Sequence, residues 1–138
     1  MKKAVALILV IFFLLTASTA AFAATESNAY ITRYGALISS PSSGSVKVSF
    51  NVVGTDYMSS IGARTIVLYE NGTPVKTFSM YNPAYAPNMY TTNDDIFIGY
   101  VTYPANSGSS YFAIVTVFAS DGTGTGTETC STNSITIP

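Results

Sequence analysis

After residue 24 the apolar and polar positions alternate with the period of β-strands. In Val46–Val52, the residues Val46, Val48, Phe50 and Val52 alternate with Lys47, Ser49 and Asn51. That period sets one face of a strand against a core and the other in water. Tyr111–Ala119 is apolar on both faces: Phe112, Ile114 and Phe118 on one, Tyr111, Ala113, Val115 and Val117 on the other. Such a run predicts a central strand covered on both sides. Further strands are predicted over Ala29–Ser39, Ala63–Glu70, Pro74–Met80, Ile96–Tyr103 and about Thr127–Ile137. Turn residues divide them: Pro41–Gly44, a loop over Gly54–Gly62, a type I′ hairpin at Asn71-Gly72, and the Gly/Thr-rich Asp121–Gly126. Pro83 and Pro87 cannot donate to a ladder, so Tyr81–Asn93 is expected to be irregular. Helical periodicity is missing from this region. Seven short strands with turns between them predict an all-β fold, an antiparallel two-sheet sandwich. Its predicted core is Val46, Val48, Phe50, Val52, Ile66, Leu68, Ile98, Val115, Val117 and Ile135.

The first 23 residues follow a different pattern. Lys2 and Lys3 precede an unbroken apolar run, Ala4–Leu15, and small residues follow up to Ala21-Phe22-Ala23. This is the layout of a secretory signal peptide, with cleavage before Ala24 or Thr25. The run is too short for a bilayer core, which takes about 20 residues. The expected organisation is therefore a signal peptide over 1–23 and one β-sandwich domain over 24–138, exported to the cell exterior with no membrane span after cleavage. Loss of Lys2 and Lys3 leaves Arg33, Lys47, Arg64 and Lys76 against all 7 acidic residues. A net acidic chain with scattered charge is a poor partner for nucleic acid, which takes basic patches.

Composition narrows the chemistry further. The chain has no histidine and one cysteine, Cys130. Ser-His-Asp and Cys-His pairs, His-containing zinc sites, a redox pair and an internal disulfide are thus all missing. Asp121–Glu128 offers two carboxylates where a hard cation takes several oxygen ligands, and it reads as a hairpin connection. Asp94-Asp95 is the only adjacent acid pair, and neighbouring strand residues point to opposite faces, so solvated acids are the reading. Asn71-Gly72-Thr73 matches a glycosylation sequon, but the hairpin turn accounts for it. No cofactor is implied, and the chain is not expected to be an enzyme.

Ser107-Gly108-Ser109-Ser110-Tyr111 leads into the central strand. It resembles the Gly-x-x-Tyr approach of immunoglobulin-like and fibronectin type III-like domains. The resemblance implies an immunoglobulin-like sandwich in which Tyr111 bonds back to the backbone at a corner. The chain lacks the tryptophan and cysteine pair of antibody-type domains. With its Tyr30-Ile31-Thr32-Arg33-Tyr34-Gly35 opening it also resembles small secreted proteins of Gram-positive, clostridial-type bacteria, a family of unknown function that implies no activity.

Two features carry candidate contacts. Tyr81, Tyr85 and Tyr90 lie on the proline-stiffened segment, where aromatic side chains stack on sugars or grip a protein partner. The plainer reading is that they cover an open sheet edge. Cys130 points outward if alternation runs unbroken from Ile135 and Ile137, giving a thiol for intermolecular pairing; a bulge would turn it into the core. The expected function is that of a secreted, non-enzymatic binding or interaction module for an extracellular protein or glycan. The alternative is a structural subunit of a cell-surface or multimeric assembly, with a hydrolase a distant third.

Overall fold

The computed structural model describes residues 28–138; the predicted signal peptide lies outside the described residues. The described chain is all-β, a curled antiparallel sheet built on one long strand. The strands are β1 (Ile31–Ser39), β2 (Ser45–Glu70), β3 (Thr73–Ser79), β4 (Tyr90–Pro104), β5 (Ser110–Ser120), β6 (Thr125–Ser131) and β7 (Ile135–Thr136). A single-turn helix, α1 (Ala86–Met89), precedes β4.

β2 absorbs two of the predicted strands and the loop expected between them. Its first half pairs with β1 and with β4; its second half pairs with β5 and β3. The predicted Gly54–Gly62 loop shrinks to a bulge. Val53 pairs with Ile96 and Met58 with Asp94, so Gly54–Tyr57 oppose Asp95 alone. Extra residues on one strand bend it, and this bend lets one strand serve both halves of the curl. The last predicted strand divides the other way, into β6 and the short β7, both paired to β5.

The curl encloses one core. Val46, Val48, Phe50 and Val52 from the first half of β2 join Ile66 and Leu68 from the second, with Val115 and Val117 of β5. All are buried, as predicted; Ile135 is half-buried. Ile98 is a correction: it is 71% exposed. In β4 both phases are apolar, and Phe97, Gly99 and Val101 take the inward one. Gly99 is the reason that phase fits. A Cβ there would lie 2.8 Å from the Phe50 ring and would meet the Asn88 carbonyl. Gly62 gives similar room to Tyr90. Between them the α1 segment lies down on the sheet and Met89 enters the core fully buried.

Side chains, not a backbone ladder, close the curl between β1 and β6. Asn133 accepts from the Ile38 N–H at 3.1 Å and donates to the Ile38 carbonyl at 3.2 Å. Asn28 donates to the Thr127 carbonyl at 3.1 Å, and the Tyr34 hydroxyl donates to Glu128 at 3.4 Å.

At one pole, Tyr111 is fully buried and its hydroxyl accepts from the Asn106 N–H at 2.9 Å, five residues upstream. Asn106 in turn donates to both Glu70 carboxylate oxygens (3.3 and 3.1 Å), and Ser109 to one of them at 3.0 Å. The neighbouring hairpin has positive φ at Asn71 (50°) and Gly72 (82°), as a type I′ turn demands. Asn71 accepts from the Ser110 N–H at 3.0 Å. Donation from Asn106 foremost, then Ser109 and Tyr111, holds the Glu70 carboxyl below its ordinary value of 4.5.

Two outcomes follow from this packing. Phe50→Ala should lose about 3–5 kcal/mol in urea unfolding, because the ring fills the centre of the core and leaves a cavity. A loss under about 1 kcal/mol would mean the β2 register is wrong. The second concerns acid. Glu70 is more acidic folded than unfolded, so its stabilisation is complete above the ordinary carboxylate range and is lost as pH falls through that range and below. Glu70→Gln should flatten part of the acid limb of the stability curve. The rest includes Asp121, which accepts N–H bonds from Gly124 and Thr123 and is lowered likewise. An unchanged acid limb in Glu70→Gln would show that the pole does not depend on the carboxylate.

Candidate functional site

The β1–β2–β4 ladder fixes which side chains share its outer face. The cross-strand rows are Arg33–Val53–Ile96, Gly35–Asn51–Ile98, Leu37–Ser49–Tyr100 and Ser39–Lys47–Thr102. Leu37 is 57% exposed, and Ile96, Ile98 and Tyr100 are exposed as well. Because Gly35 and Asn51 leave the middle row low, the face is dished. One hollow of about 400 Å³ lies over Gly35, Asn51 and Ile98, and a second of the same size adjoins it over Arg33, Val53 and Ile96. Side chains on an outer sheet face are normally polar; contiguous exposed apolar ones mark a contact surface.

Beside this face, β4 has a free edge among the described residues, where its only strand partner is β2. A cleft of about 220 Å³ lies along that edge. Tyr100, Val101 and Thr102 form one wall; Phe78, Ala84, Tyr85 and Asn88 form the rest. Lys47 Nζ stands 4.4 Å from the Tyr100 ring centre, and Lys76 Nζ stands 5.5 Å from that of Tyr85.

The three tyrosines of the 81–93 segment do not act as one patch. Tyr81 is 77% exposed. Tyr85 is half-buried, its ring edge-on to Phe78 at 4.9 Å between centres. Tyr90 begins β4 and lines a separate hollow with Ala86, Pro87 and Thr92. Tyr85 therefore packs on Phe78 and also walls the cleft.

Cys130 faces the core side, because it pairs with fully buried Val115 and packs on the core cluster. Alternation counted back from Ile135 fails since the chain leaves the ladder between Ser131 and Ile135. The thiol is half-buried, and that burial pushes its pKa up, so it is a weak nucleophile. Asp94 accepts from the N–H groups of Asp95 (2.8 Å) and Ile96 (3.4 Å), a local backbone tie. Asp121 likewise holds its own turn. Among the described residues, no group of three His, Cys, Asp or Glu is placed to hold a metal ion. Nor is any helix among them long and apolar enough to cross a membrane.

Sequence reasoning missed Leu37, Ile96, Ile98 and Tyr100 as surface residues, and with them Lys47 beside Tyr100 and Lys76 beside Tyr85. The one signal available was the second apolar phase of β4. No family model, curated protein or solved structure matches the chain.

The anchoring of the 81–93 segment is directly measurable. Met89→Ala should cost about 2–5 kcal/mol, the range for a buried Met. Tyr81→Ala should stay within about 0.5 kcal/mol. Equal, small effects in urea unfolding would mean that the segment is not docked.

Proposed function

We propose that this chain is a secreted, non-enzymatic interaction module that meets an extracellular partner through the outer face of β1, β2 and β4. The observation that carries the reading is the exposed set Leu37, Ile96, Ile98 and Tyr100, standing on the face opposite the core. Covering these side chains would release water from apolar surface, which is the usual driving force of association. Export rests on the leader-like sequence over 1–23. The non-enzymatic reading rests on a composition without histidine. We further propose that the curled sheet is an immunoglobulin-like two-sheet sandwich. Supporting this are the β2 bend, which leads two groups of strands, and the Tyr111 hydroxyl bond to Asn106.

A second reading, a structural subunit of a larger assembly, is favoured by the free edge of β4 beside the same apolar face. An unpaired edge next to apolar side chains is a template for strand addition by another copy.

Ile98→Asp with Leu37→Asp tests both readings. Neither side chain is core, so the unfolding midpoint should hardly move. Sedimentation equilibrium over a concentration series then separates them. A wild-type chain that assembles, with a monomeric double variant, supports the subunit. A monomeric wild type that binds a ligand in a glycan and protein array, with the double variant blind to it, supports the module. A monomer whose array profile is unaltered by the double variant would overturn the outer face as the site.

A further inference from the structure

We propose that the cleft beside the free edge of β4 is a binding site for a single anionic saccharide unit, a sugar ring bearing a carboxylate or a phosphate. The inference rests on the module reading and assigns it a ligand class and a place next to, not on, the apolar face.

Four observations converge. Charge comes first. The basic side chains after residue 27 are Arg33, Lys47, Arg64 and Lys76 in an otherwise acidic chain. Two of the four stand over the rings of tyrosines that line this cleft, Lys47 over Tyr100 and Lys76 over Tyr85. Among the described residues, no carboxylate lines it. Lys47 stands on the outer face, paired across the ladder with Thr102, a lining residue of the cleft. Lys76 lies on β3, its ammonium 5.7 Å from the ring centre of Phe78, another lining residue. An anion bound beside these rings gains from the ammonium group that stands over each of them.

The walls come second. Tyr85 and Tyr100 offer aromatic surface with a hydroxyl at the rim, the combination that covers the apolar face of a sugar ring while bonding to its hydroxyls. Asn88 and Thr102 add an amide and a hydroxyl. Third, the wall at Tyr100–Thr102 is an edge strand. Alternate residues of such a strand direct N–H and C=O away from their partner, here into the cleft. Sugar hydroxyls both donate and accept, and suit such a row.

Size comes last and selects among anions. At about 220 Å³ the cleft is smaller than the roughly 300–1,000 Å³ of sites that enclose drug-sized ligands. It admits one ring. A peptide added as a strand would need a longer run of the edge than this cleft spans.

The test titrates four probes into the purified chain at low salt, read by calorimetry. They are a glucuronate-containing tetrasaccharide, its carboxyl-reduced neutral form, a phosphorylated oligomannose and a short poly-glutamate peptide. Saturable binding of either anionic sugar, screened by added salt, is expected, and which of the two binds identifies the anion. The carboxyl-reduced form should bind at least about tenfold more weakly, as should the anionic sugar to Lys47→Gln/Lys76→Gln, whose unfolding midpoint should match the wild type. Four outcomes would overturn the inference: equal affinity for the neutral form, a double lysine variant that binds as the wild type does, lysine-dependent binding of poly-glutamate without sugar, or no saturation with any probe. Sugar binding lost in Ile98→Asp/Leu37→Asp but kept in the lysine variant would also move the ligand to the outer face. The cleft assignment would then fall while the module reading stands.

Discussion

Everything else in the structure hangs on β2 being one strand. A 26-residue strand carries more backbone ladder than a sheet of uniform width can use. Here it is shared: one edge serves β1 and then β5, the other serves β4 and then β3. The two halves keep their apolar phase toward the same interior through the Gly54–Tyr57 bulge. A slip of one residue at the bulge would send one half's valines into water while the other stayed buried. That geometric demand ties the register of β1, β3, β4 and β5 to two irregularities of β2, the Gly54–Tyr57 bulge and the shift between Ala63 and Thr65.

Sharing one strand leaves two places where the curl must close without a ladder, and the chain meets them differently. Between β1 and β6 the closure is polar: Asn133 supplies an amide that imitates a neighbouring strand to Ile38, with Asn28 and Tyr34 along the same seam. Between β3 and β4 it is apolar: Met89 is driven into the core and Tyr85 leans on Phe78. A polar seam satisfies backbone groups that burial would otherwise leave unpaired. The apolar closure has no such duty toward the β4 edge, which therefore stays open.

How much of this could be read from the residues depended on how many faces of each strand were apolar. The clean alternation at Val46–Val52 left a single choice of inward face, and it is the observed one. In Ile96–Tyr103 both phases are apolar, and the choice was made by Gly99, whose missing side chain lets the Phe50 ring and Asn88 approach. That is a tertiary fact, invisible to local pattern. The strand through Gly54–Gly62 was hidden for a related reason: two glycines and an aspartate read as loop, yet the ladder needs only their backbone. For Cys130, counting back from Ile135 left an outward and an inward outcome open, and the chain's departure from the sheet after Ser131 produced the inward one. At Tyr111 and Asn71-Gly72 the expectation was met because a single local hydrogen-bond or dihedral requirement decides the outcome.

The open β4 edge and the apolar outer face then follow from the same inward choice. Once Phe97, Gly99 and Val101 take the core phase, Ile96, Ile98 and Tyr100 have to stand outside. A strand that only needed to close the fold would carry polar residues there, as Lys47, Ser49 and Asn51 do on β2. Exposed Ile98 contributes nothing to the core, and it worsens the aggregation hazard of an unpaired edge. Retaining such a face is physically consistent with a surface that is covered in use. The lysines over Tyr100 and Tyr85 follow the same logic, because charge beside an open edge opposes the addition of a neighbouring strand.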